Sequence, residues 1–199
     1  MNRNLLVTAL IATAAFGSSF AASAQTNAAT TTQRDVNQEQ RIENGLQNGS
    51  ITTRENAELQ RDEAHVDHLQ AKDMKNGSLS PAEKAQLTAA QNKTSRDITQ
   101  ARTNGINGNP LSASSQRAQA DTQRNIDQQQ RINNGVKNGN LTNHEAASLE
   151  RGQAHVDKRE ARAGANGNVS AGEQRRIARA DNRQSARIYN KKHNAQVKG

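Results

Sequence analysis

Displaced by 90 residues, the chain aligns with itself: Gln33 to Ile98 falls on Gln123 to Ile188 with 28 of 66 positions identical. A duplication of this kind constrains the fold strongly, because whatever one copy builds the other must build as well. The matches include Gln40-Arg41-Ile42 with Gln130-Arg131-Ile132, and Ala64-His65-Val66-Asp67 with Ala154-His155-Val156-Asp157. Inside each copy a shorter motif returns after 28 residues. It reads Asn-Gly, Ser or Asn, an aliphatic residue, Ser or Thr, two variable residues, Glu, and an aliphatic residue four later. Its four instances run Asn48 to Leu59, Asn76 to Leu87, Asn138 to Leu149 and Asn166 to Ile177.

Each part of the motif has a mechanical reading. The glycine accepts the left-handed backbone that ends a helix. Thr52, Ser80, Thr142 and Ser170 then stand as N-caps. Glu55, Glu83, Glu145 and Glu173 follow three residues later, where a carboxylate reaches back to the cap's amide in a capping box. Pro81 takes the first helical position, where its missing N–H costs nothing.

These signals predict an all-α chain of two tandem three-helix antiparallel units, hairpin- or coiled-coil-like. The helices fall at roughly 33–47, 53–75 and 81–103, then 113–137, 143–165 and 171–193. Copy one spans 33–104 and copy two 113–194, with the breaker-rich 105–112 as linker and disordered tails at 25–32 and 195–199. Candidate core residues are sparse: Val36, Ile42 and Leu46; Leu59, Val66, Leu69 and Met74; Leu87, Ala90 and Ile98. They form a narrow seam, and the core is expected to be thin. Gly45 and Gly135 fall inside first helices, each at a cost of about 1 kcal/mol against Ala.

The first 24 residues carry one charge, Arg3, an apolar stretch from Leu5 to Phe20, and small residues at Ala22 and Ala24. That is the pattern of a signal peptide cleaved before Gln25, so a periplasmic or secreted protein is expected. With no cysteine, a lipid anchor, disulfides and thiolate metal sites are excluded together. Tyr189 is the only aromatic residue after Phe20.

The repeated Gly-x-aliphatic-[Ser/Thr]-x-x-Glu pattern resembles the second half of an EF-hand calcium loop, with Asn138 and Glu145 as its nearest approach to a ligand pair. The first half departs from that family, since the earlier loop positions offer residues such as Leu46, Met74 and Val136 instead of carboxylates. His65 and His68 lie three apart on one helix, a spacing that chelates a divalent metal, but Lys158 replaces the second of them in copy two. No metal and no cofactor is therefore expected.

Residues 25–150 carry 14 Lys/Arg against 15 Asp/Glu, whereas 151–199 carry 12 against 4. In the last helix Arg175, Arg176, Arg179, Arg183, Arg187 and Lys191 fall within about 160 degrees of a helical wheel. This basic stripe points to an anionic membrane surface, a cell-wall polymer or another polyanion as partner, and self-association is a further expectation for so thin a core. No nucleophile with a base and no glycine loop on a strand is present, so a non-enzymatic interaction or structural module of the cell envelope is expected.

Over residues 33–193 the chain resembles the uncharacterised proteobacterial exported proteins built from paired Gly-x-Leu-Thr-x-x-Glu helical repeats. That resemblance implies localisation and fold class and no catalytic residues. In export, size, basicity and helicity the chain is also similar to small periplasmic chaperones of the Spy and CpxP kind, without their Leu-Thr-x-x-Gln signatures.

Overall fold

A computed structural model describes residues 18–76 and 79–194. Six α-helices follow one another: α1 (Ser18–Asn48), α2 (Thr53–Asp73), α3 (Pro81–Thr103), α4 (Ala113–Lys137), α5 (Asn143–Gly164) and α6 (Ala171–Lys192). A single 3-10 turn, Met74–Asn76, extends α2. Residues 1–17 of the expected signal peptide and the expected tail at 195–199 lie outside the described residues.

Four helices start on the same device. Thr52, Ser80, Thr142 and Ser170 each accept from the amide of the glutamate three residues on, and that glutamate accepts from the cap's own amide. At Thr142 the two bonds are 3.1 and 3.0 Å. Two orphan donors per helix are satisfied in this way, which sharpens the boundary.

Gly45 and Gly135 have a packing reason for standing inside helices. The loop after each helix folds back, and the amides of Ile51 and Leu141 donate to the carbonyls of Gly45 and Gly135 at 3.0 and 2.9 Å. A Cβ on Gly45 would collide with Ile51 Cδ1, and one on Gly135 would meet Leu141 Cδ1 at 2.6 Å. Ile51 and Leu141 are fully buried by this closure. Gly45→Ala and Gly135→Ala are therefore expected to destabilise by about 1–3 kcal/mol each through overpacking. Helix propensity alone predicts a gain of about 1 kcal/mol. Urea melts of the two variants measure the sign.

The two copies pack against each other. The most extensive interfaces cross between them, α2 against α5 and α1 against α4. Both pairs are antiparallel: Gly164 lies against Thr53 and Ala57, while Met74 clusters with Ala146 and Ala147. The side chains of Gln33 and Asn133 meet, and Gln119 donates to the Leu46 carbonyl. With the α1–α2 and α4–α5 pairs, these contacts close a four-helix ring; α3 lies against α1 and α2, and α6 against α4 and α5.

The expected disordered tail at 25–32 is instead part of α1. Ala28 and Ala29 are buried with Ile132, Val136, Leu141 and Ile188 of copy two, and Thr32 is fully buried. Small residues there let the helices approach closely, a role that leaves no periodic aliphatic pattern in the sequence. The aliphatic interior is thin, as it breaks into four separate clusters. Ile132→Ala, which would open a cavity in the cluster joining α1 to copy two, is expected to cost about 2–5 kcal/mol in a denaturant melt.

Candidate functional site

Between the aliphatic clusters the four-helix ring is filled with carboxyl and amide side chains. Asp35 and Glu39 of α1, Glu63, Asp67 and Gln70 of α2, Gln129 of α4, and Glu150, Asp157 and Glu160 of α5 are all buried. The helical period explains the placement, since Asp35 and Glu39, and Glu63 and Asp67, are four apart and so share a face.

The duplication arranges these groups as acid against amide. Under the 90-residue shift Asp35 becomes Asn125, Glu39 becomes Gln129, Gln60 becomes Glu150, Glu63 becomes Gln153, and Gln70 becomes Glu160. The same hydrogen bonds therefore recur with donor and acceptor exchanged. Gln70 donates to Asp35 in copy one, and Asn125 donates to Glu160 at 2.9 Å in copy two. Gln60 donates to Glu39 at 3.1 Å, and Gln129 donates to Glu150 at 3.1 Å.

Only Asp67 and Asp157 remain carboxyls in both copies, and they meet where α2 crosses α5. Gln129 donates to one oxygen of Asp67, and Gln153 to one oxygen of Asp157. The second oxygen of each, Oδ2, has no hydrogen-bond partner. Burial is the largest cause that raises both groups, and the charge of Asp157 raises Asp67 further, well above the usual carboxylate range. A carboxyl pair of this kind titrates as a unit.

Burial is also the largest cause of the shift at the surrounding acids. It pushes Asp35 up to about 7 against weaker help from Gln70, Gln91 and Arg34. Glu150 is pushed up to about 8, and Glu39, Glu63 and Glu160 are held well above their ordinary range. Both oxygens of Glu63 lack a partner. A second acid pair, Asp121 and Asp181 between α4 and α6, is raised to about 7 and about 6 by burial, although Arg124 approaches at 3.8 and 3.6 Å.

The residues singled out in the sequence divide differently. His65 and His68 are both exposed on α2. Glu145 is 1% exposed, and its oxygens already accept from Thr142 and Asn194. Burial opposes ionisation there, but those bonds outweigh it and lower the carboxyl. Asn138 is the exposed C-cap residue of α4, with no bond to Glu145. Among the described residues no group of three or more acids, histidines or cysteines is placed to hold a metal ion.

The basic stripe of α6 separates into two sets. Arg175 and Arg179 stand on the exposed ridge, opposite the buried Ile177, Gln184 and Ile188. Arg176, Arg183 and Arg187 turn toward α5, where Arg159 and Arg162 line the same hollows. Arg187 is tied down, donating to the Ser148 carbonyl at 2.9 Å and to Ser148 Oγ at 3.1 Å. Lys191 lies near Glu145 at the far end. The α5 arginines escape a reading confined to one helix, yet the spacing Arg159-x-x-Arg162 marks one face of α5. No family model, curated protein or solved structure matches the chain significantly.

Proposed function

We propose that this is a non-enzymatic, exported helical-repeat protein of the cell envelope that holds anionic surfaces or polymers through its C-terminal quarter. The observation that carries the reading is the concentration of cation there, with 12 Lys/Arg against 4 Asp/Glu in residues 151–199. Arg159, Arg162, Arg175, Arg179 and Arg183 make no ion pair among the described residues. An unpaired basic field on one side of a rigid scaffold attracts polyanions and releases their counterions.

Export rests on the leader-like first 24 residues and on the resemblance to exported helical-repeat proteins. No helix among the described residues is long and apolar enough to cross a membrane. Cosedimentation of residues 25–199 with vesicles rich in anionic lipid, and with soluble polyanions, tests the reading. Binding is expected to fall linearly in log–log terms with added salt. Binding that survives unchanged at about 1 M salt, where the screening length is about 3 Å, would refute an electrostatic mechanism.

A further inference from the structure

The duplication supplies an internal comparison for one surface. In copy one the groove between α2 and α3 is lined by Glu55, Glu58, Asp62 and Asp97 with Arg61 and Lys93. Lys93 is held there by Asp62 at 2.9 Å and by Asp97 at 2.7 Å. In copy two the equivalent positions are Arg183 for Lys93, Gly152 for Asp62 and Arg187 for Asp97. The cation has lost both its acids and gained a second cation beside it. Arg159, Arg162 and Arg176 likewise stand where copy one has Leu69, Lys72 and Gln86.

Two adjacent hollows between α5 and α6 share Arg159, and five arginines line the groove that they mark. One carboxylate, Glu173, lies on its lining; it is occupied by the cap of α6, accepting from the Ser170 amide at 2.9 Å and from Ser170 Oγ at 2.6 Å. His155 completes the opposite end. Arg176 to Arg187 is eleven residues of helix, about 16 Å. Five guanidinium groups along that length give roughly one positive charge per 3 Å.

The lining selects the kind of anion. Every cation in the groove is arginine, whose planar fork pairs with phosphate oxygens two at a time. Single-stranded nucleic acid would stack its bases on aromatic platforms, and the groove lining has no Phe, Tyr or Trp; Tyr189 is stacked on His193 at 4.2 Å near the end of α6. A flat bilayer would meet the ridge of Arg175 and Arg179 before the recessed groove.

We propose that the α5–α6 groove is a binding site for a linear inorganic polyphosphate chain, the close-spaced anion that five aligned arginines match. This deepens the electrostatic reading above and rests on it. The test is fluorescence anisotropy of labelled polyphosphate with residues 25–199 at pH 6. Removing three groove charges, Arg159→Gln/Arg162→Gln/Arg183→Gln, is expected to raise Kd by about tenfold or more and to flatten its salt dependence. Removing three charges outside the groove, Lys158→Gln/Arg175→Gln/Arg179→Gln, is expected to raise it less than about threefold.

Equal losses in the two triple variants would overturn the groove and leave a diffuse basic field standing. Tighter groove-dependent binding of oligo-dT or of anionic vesicles would overturn the choice of occupant. Absence of binding to any polyanion would overturn this inference together with the function it rests on. The triple Arg→Lys variant at 159, 162 and 183 keeps the charge and removes the fork, and a loss of about threefold or more is expected. If the Gln triple does not give the parent's circular-dichroism melt, the Lys triple decides, and parent-like affinity in it counts against the groove.

Discussion

Raising the pH from 5 to 8 is expected to lower the melting temperature of residues 25–199 by about 10 °C or more. The cause is the buried carboxyl cluster. Asp35 and Asp157 are raised to about 7 and Glu150 to about 8, each with desolvation as the largest cause. In the unfolded chain the same groups titrate near their ordinary values of about 4. Between those limits the folded state binds more protons than the unfolded state, so stability falls as pH rises. The contribution is complete below about pH 4 and is lost progressively as pH climbs through about 7 to 8. Each acid that keeps its proton across this window contributes a slope of roughly 1.4 kcal/mol per pH unit. Two such groups over two pH units already amount to about 5 kcal/mol, at the lower edge of what holds an ordinary domain together. Thermal melts at pH 5, 6, 7 and 8 in matched ionic strength measure the slope, and a curve that is flat or rising over that range would show the acids to be hydrated rather than buried.

The helices were legible in the sequence because their starts are written in local chemistry. Thr142 with Glu145, and Ser170 with Glu173, fix their boundaries within three residues, and α3 and α4 run Pro81–Thr103 and Ala113–Lys137, where the pattern puts them. The pairing of the copies was not legible. Ile132, Val136 and Ile188 show an aliphatic seam, but nothing local states that Ala28 and Ala29 of the other copy complete it. The polar interior was missed for a different reason. A carboxylate on an amphipathic helix ordinarily faces water, so Asp35, Glu39 and Glu63 read as solvent residues. Their signal lies in the comparison of the copies, where acids and amides trade places at Asp35/Asn125, Glu39/Gln129 and Glu63/Gln153. Exposed positions have no reason to alternate in that way. The groove was half legible, since the α6 arginines stand out on a wheel while Arg159 and Arg162 belong to it only through the packing of α5 on α6.

That exchange also states which substitutions the interior will accept. Glu63 occupies the position of Gln153, and both its oxygens are buried without a partner. Asp157 sits opposite Asp67, with Glu39 and Glu150 also acting on the cluster. Glu63→Gln combined with Asp157→Asn keeps the volume and polarity of both sites and removes two groups that resist ionisation. At pH 4 both parent groups are protonated in the folded state, so the double variant is expected to match the parent within about 1 kcal/mol. At pH 8 the parent must either ionise buried acids or hold their protons against the solvent, and the variant is expected to be more stable by about 2–4 kcal/mol. The pH slope should fall with it, by up to roughly 1.4 kcal/mol per unit for each acid removed. The reverse substitution, Gln129→Glu, withdraws the amide that donates to Asp67 and Glu150 and sets a further acid among them, so it should destabilise at both pH values and steepen the slope. Urea melts of the three proteins at pH 4 and pH 8 separate the alternatives. Parallel pH dependence in parent and double variant would mean that Glu63 and Asp157 are not what couples this fold to protons. A variant that loses part of the slope and keeps the fold would show that the interior accepts amides at Glu63 and Asp157, and that the two carboxyls there confer pH sensitivity rather than packing.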